Sequence, residues 1–178
     1  MNYNVIIREA KDWTISIAIA VVLALVIRYF IVELYLVDGS SMKPTLFDGQ
    51  RLVVNKFIYR WLKDPQHGDI VVFKYPSDQN RDFIKRVIAT PGDTIEIIDG
   101  TVFLNGNQIH ESYIYESMRI ANNYPKIEIP KDYVFVMGDN RNNSEDSRFS
   151  DVGLVSYDLI KGKAVLIFWP LNKIKTLP

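Results

Sequence analysis

The chain of 178 residues has no cysteine and only two histidines. The first absence removes disulfides, thiolate nucleophiles and cysteine-based zinc sites together. The second leaves little for histidine chemistry. His67 stands in the turn sequence DPQHGD and His110 follows an Asn-Gly turn, with no HExxH and no paired histidines at ligand spacing, so neither a metal nor a cofactor is expected. Nothing in the sequence arranges a Ser-His-Asp triad. An excess of either charge is missing as well: Lys plus Arg and Asp plus Glu number 21 each, so no global field draws the chain to nucleic acid. Internal repeats and low-complexity tracts are also lacking, and after residue 33 no helix-length amphipathic period occurs.

One long apolar run is present. From Trp13 to Ile27 there is no charged residue, and after Arg28 the run resumes as YFIV to Val32. At about 1.5 Å per residue, positions 13–32 span roughly 30 Å, the thickness of a bilayer core. Arg28 can snorkel at one end, with Trp13 and Tyr29 as interface anchors. A cleavable leader would have a shorter apolar core followed by small residues, and no A-x-A pattern follows this one. A buried core helix would show a polar face. The reading is a short stub at 1–12, a membrane anchor at 13–32 and a folded domain at 33–178. Arg8 and Lys11 are offset by Glu9 and Asp12, so flanking charge alone does not orient the span.

The remainder is punctuated by runs rich in branched and aromatic residues: 51–57, 69–75, 82–90, 93–98, 101–105, 132–137 and 162–169. Asp99-Gly100 and Asn105-Gly106 suit tight hairpin turns. The expected fold is therefore mainly β, an antiparallel, barrel-like domain. Residues 107–126, polar with interspersed aromatics, read as an irregular insertion.

Three stretches are richer in reactive side chains than a β scaffold requires. The first is VDGSSMKPTL, residues 37–46, where Gly39, Ser40 and Ser41 form a turn close behind the anchor. The second is FIKRVIATPGD, residues 83–93. Alternation places Lys85 with Phe83 and Val87 on one face and Arg86 with Ile84 and Ile88 on the other; both faces are apolar, so periodicity does not say which cation points inward. Only the lysine can lose its proton when desolvated. At pH 7 an ordinary lysine is neutral in about one molecule in 2,500, and lowering its pKa to about 7 takes about 4.6 kcal/mol, which burial can supply. A serine can then be activated by lysine in place of histidine. The third stretch is MGDNRNNSEDSR, residues 137–148. Counted from Asp139 as a calcium loop, it has Ser144 where glycine is needed and Ser150 where glutamate is needed, which excludes that site. Asp146 and Arg148 can pair and present Ser144 or Ser147 to a neutral lysine.

In order and spacing, GSSMKPTL behind an anchor, GDIVVFKYP, FIKRVIATPGDTIEI and GDNRNNSEDSR resemble the bacterial type I signal peptidases, in their shorter Gram-positive-like form. The resemblance implies a membrane-bound Ser/Lys endopeptidase that removes signal peptides from exported preproteins through an acyl-enzyme. It makes Ser41 the nucleophile and Lys85 the general base, and it gives Ser144 as the serine bonded to the lysine. It also implies Asp146 and Arg148 as the pair supporting that loop, and Met42 and Pro44 as shapers of the turn and pocket. Gram-negative members carry an oxyanion-holding serine two positions before the nucleophile, where this chain has Gly39. The resemblance further implies a single-pass protein of the cytoplasmic membrane with its catalytic domain on the extracytoplasmic side, and signal-peptide-bearing preproteins and the lipid bilayer as partners. The alternatives are a non-catalytic membrane-tethered β module that binds exported chains and a self-cleaving repressor-type protease. The second lacks support here, since no DNA-binding segment is present.

Overall fold

A computed structural model describes residues 3–119 and 123–178. The apolar run forms one helix, α1 (Tyr3–Phe30), and its segment Lys11–Phe30 is long and apolar enough to cross a membrane, with no residue buried against the rest of the chain. The helix ends two residues before the expected limit of 32. Val32 already pairs with Asn55, because the branched and bulky sequence VELYL forms a strand, β1 (Val32–Leu36), with β2 (Arg51–Asn55). At the other end, the helix takes in residues 3–12, the described part of the expected stub.

A five-residue helix, α2 (Phe57–Trp61), follows β2. Then come β3 (Ile70–Tyr75), β4 (Asp78–Ala89), β5 (Thr94–Ile98), β6 (Thr101–Leu104) and β7 (Asn107–Gln108). The chain continues through β8 (Tyr124–Glu128), β9 (Tyr133–Met137), β10 (Val155–Ser156), β11 (Ile160–Trp169) and β12 (Lys175–Thr176). Every pairing is antiparallel. The main sheet runs β1-β2-β11-β3-β4-β9-β10, with β12 on β11, and a smaller sheet runs β7-β6-β5-β8. The expected mainly β domain is present, divided into these two sheets. The stretch read as irregular supplies β7 and β8 to the smaller one.

The continuous apolar run of β3 reflects burial on both faces. Ile70 and Val72 pack with Met42, Leu46, Leu52, Val54 and Ala164, while Val71 and Phe73 pack on the opposite side with Val87, Val134, Val136 and Val155. A third cluster, around Ile95, Ile97, Phe135 and Met137, joins the smaller sheet to β9. Strand β4 runs between these clusters. That explains why its two adjacent cations are inside, while Arg81 near its start is exposed: Lys85 and Arg86 are each only 4% exposed.

Candidate active site

Ser41 lies in the turn that follows β1. Gly39 opens this turn at φ +95°, a conformation that strains any residue with a side chain, and its amide donates to Asp48 Oδ1 at 2.8 Å. Met42 and Leu46 then sink into the core and pin the far side of the turn. The turn is also gripped from the loop after β9. Asn140 N donates to Ser41 O at 2.9 Å, Asn140 Nδ2 to Ser40 O at 3.1 Å, and Asn143 Nδ2 to Ser40 Oγ at 2.7 Å. Ser40 Oγ is thus engaged with Asn143, whereas Ser41 Oγ meets a different partner.

That partner is Lys85. Its Nζ lies 2.9 Å from Ser41 Oγ, 3.1 Å from Ile84 O and 4.9 Å from the centre of the Phe83 ring. Burial pushes the Lys85 ammonium down to about 8, because desolvation outweighs the negative charges of Asp146, Glu145 and Asp139 that favour the protonated form. Among the described residues no group accepts a hydrogen bond from the Ser41 amide. The pair opens on a cleft of about 540 Å³ whose walls are the end of β1, Tyr35–Leu36, and the β4 segment Arg81–Lys85.

Arg86, on the opposite face of β4, has a structural setting. It makes two hydrogen bonds to Asp139, from Nε at 2.8 Å and Nη2 at 2.7 Å, and its guanidinium lies 4.1 Å from the Tyr113 ring centre. Thr45 joins this network by donating to Asp139, so the serine turn is tied to the same buried pair.

The structure brings the other expected residues together in the loop 137–148. Arg148 donates to both Asp146 oxygens, at 2.7 and 2.9 Å, and to Arg141 O at 2.7 Å; Asp146 Oδ2 also accepts from Gly138 N at 3.0 Å. Ser147 Oγ accepts from Val136 N at 2.9 Å, which occupies one of the two candidate serines. The other, Ser144, has its Oγ buried without a hydrogen-bond partner among the described residues, so it makes no bond to Lys85 here. It sits against Gly138, whose position admits no side chain: a Cβ there would collide with Ser144 Oγ and stand 2.5 Å from Ser41 O. Gly138, Asn140, Asn143 and the Arg141–Glu111 ion pair were not legible in the sequence. The polar richness of 137–148 is the only signal that pointed towards them.

The chain also matches the family model described as signal peptidase, peptidase S26, over residues 10–169. The chain belongs to this family. Signal peptidase I P of Bacillus subtilis subsp. natto is 41% identical over 172 residues, covering 92% of this chain and 91% of the relative. Signal peptidase I of Bacillus licheniformis is 39% identical over the same length, with the same two coverages. Among solved structures, a signal peptidase I from Enterococcus faecalis superposes with a TM-score of 0.50 at 28% identity, covering 58% of this chain and 98% of that one. With relatives of this length and similarity, the chain is a signal-peptide-cleaving peptidase, and its substrates are preproteins that carry signal peptides. The apolar helix is consistent with membrane association.

Proposed function

We propose that Ser41 and Lys85 form the catalytic dyad of this peptidase. The observation that carries the reading is the 2.9 Å contact between Ser41 Oγ and a lysine buried deeply enough for its pKa to fall to about 8. Neutral Lys85 takes the Ser41 proton as Oγ attacks the scissile carbonyl, and the resulting ammonium returns that proton to the leaving amine. Water then enters and gives its proton to Lys85 as its oxygen attacks the acyl carbon, and Lys85 passes that proton to Ser41 Oγ as the ester bond breaks. The Ser41 amide is suited to bind the oxyanion, since Gly39 offers no hydroxyl and its own amide is held by Asp48. Ser144, whose Oγ is unpartnered among the described residues and faces Gly138 as does Ser41 O, is assigned to the lysine's hydrogen bonding during turnover. Asp146 and Arg148 hold the loop that carries it.

The substrate lies extended in the cleft between β1 and β4, where two strand edges offer backbone groups and the pocket beyond accepts small A-x-A-like side chains. Residues 11–30 span the cytoplasmic membrane and the β domain lies on its extracytoplasmic side. Cleavage of a purified preprotein tests the dyad: Ser41→Ala and Lys85→Ala each lose activity by at least about a thousandfold while retaining the wild-type circular dichroism. Retained cleavage in either variant removes that residue from the mechanism. Failure of the wild type itself to cut would favour the binding-module reading.

A further inference from the structure

Helix α2 has no place in the chemistry and contributes little to the core: none of its residues is fully buried, and only Tyr59 packs against the Val71–Phe73 cluster. It is nevertheless firmly held. Asn55 Oδ1 accepts from Phe57 N at 2.9 Å and Ile58 N at 3.2 Å, and Tyr59 OH donates to Asp69 Oδ2 at 2.8 Å, so the inner side of α2 is fixed to the domain. Its outer side carries Trp61 and Leu62, 67% and 68% exposed, with Phe57 stacked on Trp61 at a centroid distance of 6.3 Å. The surrounding sequence, KFIYRWLK at residues 56–63, holds three cations and no acid, in a chain whose charges balance overall.

The position of α2 gives this composition a meaning. Lys56, the residue before α2, is bound to the end of α1 twice: its amide donates to Ile31 O at 2.8 Å and its Nζ to Arg28 O at 3.0 Å. At the same junction an apolar groove of about 1180 Å³, walled by Leu25, Tyr29, Val32 and Leu34, has Lys56 on its lining. Helix α2 therefore begins beside the end of the apolar helix. That is the depth at which tryptophan prefers the bilayer interface and lysine and arginine meet lipid phosphates.

We propose that α2 is a foot that seats the catalytic domain on the headgroup layer of an anionic bilayer, with Phe57, Trp61 and Leu62 inserted and Arg60 and Lys63 on the phosphates. This rests on the reading of α1 as a membrane anchor. The foot holds the cleft at a fixed height above the lipid, where a substrate still threaded in the membrane presents its cleavage site.

The test uses the full chain with Trp13→Phe and Trp169→Phe, which leaves Trp61 as the sole tryptophan. It is reconstituted into vesicles of bromine-substituted phosphatidylcholine, alone or in equimolar mixture with phosphatidylglycerol. Trp61 fluorescence is expected to be quenched, at least about twofold more strongly in the anionic vesicles, and Arg60→Glu with Lys63→Glu is expected to abolish that difference. Absence of quenching, equal quenching in both lipids, or loss of quenching as the protein-to-lipid ratio rises, which would mark a second copy as the occupant, overturns the proposal. Cleavage of a short signal-peptide substrate in detergent separates the two readings. The charge-reversed variant is expected to cut at the wild-type rate, whereas an inactive wild type with normal Trp61 quenching would count against the peptidase mechanism alone.

Discussion

Lys85, the proposed base, also carries a cost to the fold. In the native state its ammonium titrates near 8, against 10.5 for an ordinary lysine, so at pH 7 the fold holds a cation it disfavours by about 3 kcal/mol. Below pH 8 both native and unfolded chains keep the proton and the penalty is constant. Between pH 8 and 10.5 the native state binds fewer protons than the unfolded one, so stability rises with pH across that window. Lys85→Met, which replaces the cation with an apolar chain of similar length, is expected to raise stability at pH 7 by up to about 3 kcal/mol while removing activity. Urea denaturation at pH 7 and pH 10 checks this, with a smaller gain at the higher pH; an equal gain at both, or none, contradicts it. Ser41 and Lys85 could be named as candidates from sequence because a lysine can replace histidine in activating a serine, the choice of Ser41 over Ser40 coming from the family resemblance. The burial of Lys85 could not be read there, because alternation along β4 gives Lys85 and Arg86 equally apolar neighbours. The answer, that both are inside, depends on clusters packed against each face of the strand.

Among the elements, the turn after β1 and the loop after β9 work as one unit. Three hydrogen bonds from Asn140 and Asn143 hold the serine turn, and Gly138 lets the two backbones approach within a distance no side chain would allow. Gly138→Ala is expected to push Ser41 and Ser144 apart, destabilising the fold by about 2 kcal/mol and lowering kcat far more than it raises KM. Thermal unfolding and steady-state kinetics read the two effects, and wild-type values for both would show that the close approach is dispensable. Strands of clear β composition such as 70–75 and 94–98 could be read from sequence to within a residue. Strands β1 and β8 could not. The first is continuous with the apolar helix, so hydropathy does not mark where helix gives way to strand, and the second, YPKIE, shows no apolar alternation and is specified by its pairing with β5.

For the whole molecule, one apolar helix leads directly into the edge strand that lines the cleft, so the distance from membrane to active site is set by a few residues of rigid chain. Because the domain lies on the extracytoplasmic side in this account, protease added to intact spheroplasts is expected to degrade residues 33–178, and protection until lysis would reverse the orientation. At the centre of the proposed mechanism is a lysine that acts as a base without histidine. The most direct test is the pH dependence of kcat/KM on a signal-peptide substrate with the full-length enzyme in vesicles. The account predicts a rate that rises with pH through a single acid limb centred near 8, the value to which burial brings Lys85. A limb near 6.5, where an unperturbed histidine titrates, or a flat profile from pH 6 to 9, would contradict it.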